Sequence, residues 1–84
     1  MIEVTHVEYL EGFCLHLAFN DGTGGDVDLE SELEGEVFAP LKDKKLFSTV
    51  RLDKELGTIV WPNGADLAPE YLHDRIASVM KANA

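Results

Sequence analysis

The sequence predicts an α+β domain in the order β-β-β-α-β-β-α, mostly antiparallel sheet, and three observations carry that expectation. In "FCLHLAF", residues 13–19, the apolar Phe13, Leu15, Leu17 and Phe19 alternate with Cys14, His16 and Ala18, the two-residue period of a strand. Turn signals flank it, Glu11-Gly12 before and Asn20-Asp21-Gly22 after, so its neighbours in sequence should pair with it as hairpins. Beyond Pro69, the apolar Tyr71, Leu72, Ile76, Val79 and Met80 recur at the spacing of one helix face.

The remaining elements follow in order. "IEVTHVEYL" is rich in β-branched residues and supplies the first strand. The third strand is expected over residues 23–29, entered through "DGTGGD", whose glycines meet a positive φ or a bulge. Acids then occupy every even position from Asp26 to Glu36. Asp and Glu are poor strand formers, and a strand reaching Val37 would exceed the usual length, so it should end near Leu29. From there Leu29, Leu33 and Val37 fall four apart, which makes "ESELEG" a short helical turn that Gly35 terminates. Pro40 breaks any helix entering it, while Asp43 caps a short helix with Leu46 and Phe47 inward. A second hairpin runs through residues 50–53 and 58–61, and Pro62 stops it. Asp66 or Ala68 lies near the cap of the last helix, with Pro69 at its first position.

Eighty-four residues, 45% hydrophobic, make one domain spanning 1–84. No apolar run approaches the ~20 residues of a membrane span. The first residues carry acids where an export signal carries bases, so the expected compartment is the cytoplasm and no membrane partner is expected. Cys14 is the single cysteine and reads as a small packing residue, not a nucleophile. Formal net charge is -9, and residues 1–42 hold ten acids against one base, whereas residues 43–84 hold six of each. Without a basic footprint, direct nucleic-acid binding is not expected. A basic protein surface is the better electrostatic match.

Chemistry-bearing patterns are few. Asp26, Asp28 and Glu30 match the first three ligand positions of an EF-hand loop, but Ser31 replaces its glycine and Val37 its final glutamate, so the cage cannot close. His6, His16 and His73 lack paired ligand spacing, and neither a metal nor a cofactor is expected. His6 and His16 would be sheet neighbours if the first hairpin brings them together, as ordinary half-buried histidines. Ser31, Ser48 and Ser78 have no partner base in the sequence, "DGTGGD" is a turn and not a phosphate loop, and no catalytic residue is assigned. Strand side chains on one face recur every ~6.6–6.8 Å, close to a phosphate repeat, but only Asp26 and Asp28 would keep that spacing. Trp61, Asn63 and Asp66 in "WPNGAD" form a candidate contact surface. Their plainer roles are a core residue, a turn and a helix cap.

"VFAPLKDKKLF" (residues 37–47) and "GTIVWPNGADLAPEYL" (residues 57–72) resemble a bacterial family of unknown function, DUF2442, and the first hairpin is similar too. "WPNGADLAPE" is the most specific part. The resemblance implies a small two-layer α+β domain with three strands, a helix, two strands and a final helix. It implies no catalytic residues. Some longer family members continue into a helix-turn-helix, which a chain ending at Ala84 is expected to lack, and some short ones sit in arrangements like a toxin and antitoxin pair. The functional expectation is a non-enzymatic protein-binding domain, antitoxin-like in a two-protein system, using Asp26, Asp28, Glu30, Glu32 and Glu34 with Trp61, Asn63 and Asp66. The alternatives are a transcription-associated regulator or acidic nucleic-acid mimic, and a small enzyme subunit. An exposed strand edge would also let two copies pair.

Overall fold

Residues 1–82, and the side chains of residues 1–77, are described by a computed structural model. The strands are β1 (Val4–Tyr9), β2 (Cys14–Phe19), β3 (Gly24–Asp28), β4 (Arg51–Asp53) and β5 (Thr58–Val60). Three helical segments accompany them: α1 (Gly35–Phe38), α2 (Lys44–Phe47) and α3 (Pro69–Ala82), with single 3-10 turns at Glu30–Glu32 and Ala39–Lys42. The fold is therefore α+β in the expected order, β-β-β-α-β-β-α, its first helical position being a chain of short turns. Among the described residues, no helix is long and apolar enough to cross a membrane.

Both sheets are antiparallel, β1-β2-β3 and β4-β5. The two-residue period of β2 decides which side faces inward. Leu15, Leu17 and Phe19 are buried opposite Tyr9, Val7 and Val4 of β1, and Val27 of β3 lies across from Leu15. Leu72 and Ile76 of α3 close over them, with Phe47, Ile59 and Trp61 completing the interior. The second hairpin abuts β1, where the Val4 N–H donates to the Gly57 carbonyl at 2.8 Å. His6 lies opposite Ala18 and His16 opposite Glu8, so the two histidines are diagonal neighbours on the outer face.

Of the glycines leading into β3, Gly22 has the expected positive φ, 88°, whereas Gly24 and Gly25 act differently. Its register against β2 is regular, and neither Gly24 nor Gly25 has a positive φ. A Cβ at Gly24 would meet the Leu17 carbonyl at 2.8 Å, and one at Gly25 would meet Cγ2 of Ile76 at 3.0 Å. These positions lack side chains because a strand and a helix come too close.

The acidic ladder leaves the strand at Asp28, and the apolar residues between its acids then follow the turn. Leu29 and Leu33 are fully buried, as expected, but Val37 is 45% exposed. A 3-10 turn and a non-helical Glu34 intervene, so the four-residue spacing does not persist to Val37. Gly35, with φ of 88°, opens α1 instead of ending the preceding turn. Asp43 caps α2 as expected, accepting the Lys45 N–H at 3.0 Å. Phe47 is buried and Leu46 half-buried.

"WPNGAD" folds back along β5. Trp61 N–H donates to the Ala65 carbonyl at 2.9 Å, Val60 bridges to Asp66, and the buried Thr58 hydroxyl donates to the Leu67 carbonyl at 2.5 Å. Of the two expected cap positions, the helix starts from Ala68, whose carbonyl accepts the Leu72 N–H at 3.2 Å, while Asp66 lies on the bridge and, among the described residues, its carboxylate has no hydrogen bond. On α3, Leu72 and Ile76 face the core, whereas Tyr71 is 40% exposed. The side chains of Val79 and Met80 lie outside the described residues.

Candidate functional site

The acids between Asp26 and Glu36 divide by what they touch. Asp26 and Asp28 stand on the outer face of β3, because Val27 between them points inward. Asp26 faces His16 across the ladder and binds its Nδ1 at 2.7 Å. The Asp28 carboxylate accepts the Glu30 N–H at 2.8 Å, starting the 3-10 turn. Glu32 is half-buried and turned toward α3, where it accepts the Tyr71 hydroxyl at 2.5 Å and Nη1 of Arg75 at 3.0 Å. Nη2 of Arg75 also donates to the Asp28 carbonyl at 2.8 Å. Arg75 thus ties the ladder to the last helix at two points.

Glu30, Glu34 and Glu36 are exposed, and among the described residues their carboxylates have no hydrogen-bond or ion-pair partner. Their charge is presented to solvent. Glu32 is a structural member of the same run. Arg75 and Tyr71 were not legible as its partners, since they lie forty residues away in sequence and only packing of α3 brings them near.

Trp61 does not belong to any surface. It is 2% exposed, its rings lie against Phe38 and Phe47, and its indole N–H donates to the Phe47 carbonyl at 2.9 Å. A large aromatic with a satisfied N–H is most stable enclosed, which removes it from the candidate contact residues. Asn63 is exposed but tied at both ends of its amide, to the Val37 carbonyl at 2.8 Å and the Ala65 N–H at 3.1 Å. Asp66 is exposed on the bridge beside β5.

A shallow depression of about 420 Å³ adjoins the ladder, lined by Glu11, Phe13, Cys14, Asp28, Glu30 and Lys44. Lys44 lies over the Phe13 ring, its Nζ 5.8 Å from the centroid. The Cys14 thiol is pushed above its ordinary range, chiefly by burial and then by the negative charge of Asp28, Glu11 and Asp26 and a hydrogen bond to Asp28. Such surroundings keep it protonated and a poor nucleophile. Among the described residues, no three His, Cys, Asp or Glu side chains gather as a metal site. Asp26 and Asp28 are directed to His16 and to main chain, so the EF-hand-like spacing does not converge.

A family model described as "Protein of unknown function (DUF2442)" matches residues 4–78, which include both the acidic ladder and the "WPNGAD" return. The chain belongs to the DUF2442 family. No curated protein and no solved structure matches it. The family description assigns no activity, so the DUF2442 domain supplies no catalytic residues to place on this fold.

Proposed function

We propose that this DUF2442 domain is a non-enzymatic binding module that docks a basic surface of another protein through Glu30, Glu34 and Glu36, with Asp28 at the margin. The observation that carries the reading is their separation from Glu32. In one run of alternating acids, the member that stabilises the fold is held by Tyr71 and Arg75, while the other three glutamates stay exposed. Solvated carboxylates on a rigid turn steer a basic partner and set its orientation, with apolar contacts supplying affinity. Neutralising a basic partner, as an antitoxin-like protein does, is one biological form of this contact. The raised Cys14 thiol argues against nucleophilic chemistry at that side chain.

The test is capture of a basic protein from the source cell by the intact chain, compared with the Glu30→Gln, Glu34→Gln, Glu36→Gln triple variant. Capture should fall about tenfold in the triple variant and weaken as salt shortens the Debye length below about 10 Å. Undiminished capture by the triple variant refutes the assignment.

A further inference from the structure

β3 ends the three-stranded sheet, and the parity of its ladder fixes which main-chain groups face outward. The Phe19 N–H donates to the Thr23 carbonyl and the Leu29 N–H to the Phe13 carbonyl, both at 2.9 Å. Odd-numbered residues of this strand therefore direct their N–H and C=O groups at β2. Gly24, Asp26 and Asp28 direct theirs to the open edge. Among the described residues, the Asp28 carbonyl alone of these groups has a partner, Nη2 of Arg75. Edges are commonly protected by charged side chains, Pro, a bulge or a covering element; "GGDVD" has no Pro and a regular register, and its protection against a like-charged strand is the pair Asp26 and Asp28, with Arg75 covering only the Asp28 carbonyl.

Charge selects the occupant. The edge residues carry Asp26 and Asp28 on one face, and Glu30 follows them. A second copy of this chain pairing there would bring its own Asp26 and Asp28 against these, which is unfavourable for directly opposed like charges. A strand bearing Lys or Arg at alternate positions would meet them with opposite sign. We infer that the β3 edge accepts an extended Lys- or Arg-bearing segment of a protein partner as a fourth, antiparallel strand. The inference rests on the basic-partner reading above and gives it a main-chain component.

Antiparallel geometry makes the test specific. A residue opposite Asp26 shares its face and sits in a hydrogen-bonded pair, so its own N–H points at β3. A fluorescein-labelled peptide of alternating Thr and Lys should bind the intact chain at low salt, and the same peptide with Glu in place of Lys should not. N-methylation of every Lys should weaken binding at least about tenfold by removing several hydrogen bonds, whereas N-methylation of every Thr leaves it within about twofold. Asp26→Pro, which removes an edge N–H outside the β2 ladder, should weaken it about fivefold or more, with circular dichroism confirming the fold.

Equal or reversed responses to the two methylations overturn the inference on the unmodified protein, whatever the proline variant does. Absence of peptide binding overturns it too, as does a dimer of the chain that Asp26→Pro dissociates. If a basic protein is captured through Glu30, Glu34 and Glu36 while the methylations act equally, the edge assignment falls and the acidic-surface reading stands. If that triple variant also captures normally, both fall.

Discussion

Replacing Glu32 with Gln separates a structural acid from its exposed neighbours. The glutamate accepts two hydrogen bonds from α3, one from the Tyr71 hydroxyl and one from the Arg75 guanidinium. Hydrogen bonds to a charged group contribute about 1.5–3 kcal/mol each. Here the side chains of Arg75 and Glu32 keep 28% and 24% exposure, so water offsets part of that value. Glutamine retains one acceptor oxygen and loses the charge, which leaves an expected cost of about 1–2 kcal/mol. Glu30→Gln and Glu34→Gln should each stay within about 0.5 kcal/mol of the parent, as ordinary surface substitutions do. Urea unfolding of the three single variants reads the difference, and thermal melting should show Glu32→Gln lower at about 4–8 °C per kcal/mol for a domain of this size. Equal stability of the Glu32 and Glu34 variants would refute the division of the ladder, and with it the reason for placing the docking charge on Glu30, Glu34 and Glu36.

Other perturbations probe the framework. Trp61→Phe should cost about 2 kcal/mol in urea unfolding, because it leaves a void beside Phe38 and removes the shorter of two hydrogen bonds to the Phe47 carbonyl, which keeps only the Val50 N–H at 3.3 Å. Gly25→Val should cost about 1–3 kcal/mol, since even a Cβ there meets Ile76 at 3.0 Å, and a cost near zero would show that α3 is not packed tightly on β3. The Asp21 carboxyl is held down to about 2, first by hydrogen bonds from the Thr23 hydroxyl and N–H and then by His73. A carboxyl depressed below its ordinary value of 3.8 stabilises the fold above that pH and loses its contribution as the pH falls toward about 2. Asp21→Asn should therefore melt below the parent at neutral pH, with the gap closing by about pH 2; a constant gap would show that it does not come from the charge.

Local physics made the scaffold legible. The alternation in β2, the turns at Gly12 and Gly22, the Asp43 cap and the Pro69 helix start each depend on neighbouring residues, and each is found where short-range rules put it. The contact surface expected from "WPNGAD" and parts of the helical pattern did not survive packing, although the plainer reading of Trp61 as a core residue did. Trp61 is enclosed by Phe38 and Phe47, Asp66 lies on the main-chain bridge to Val60, and Tyr71 leaves the apolar stripe of α3 to reach Glu32. Val37 faces outward because two breaks in helical geometry reset the spacing that Leu29 and Leu33 had begun.

By itself, the sequence determined the α+β order, the turn positions, the inward side of the strands and the concentration of negative charge in the first half. It could not rank the acids within that charge, because Asp26 through Glu36 are chemically alike and evenly spaced. Only the tertiary structure decided that Glu32 belongs to the fold and that Glu30, Glu34 and Glu36 face water. The physical reason is the docking of α3, which carries the Tyr71 hydroxyl and the Arg75 guanidinium to one carboxylate and leaves the others to solvent.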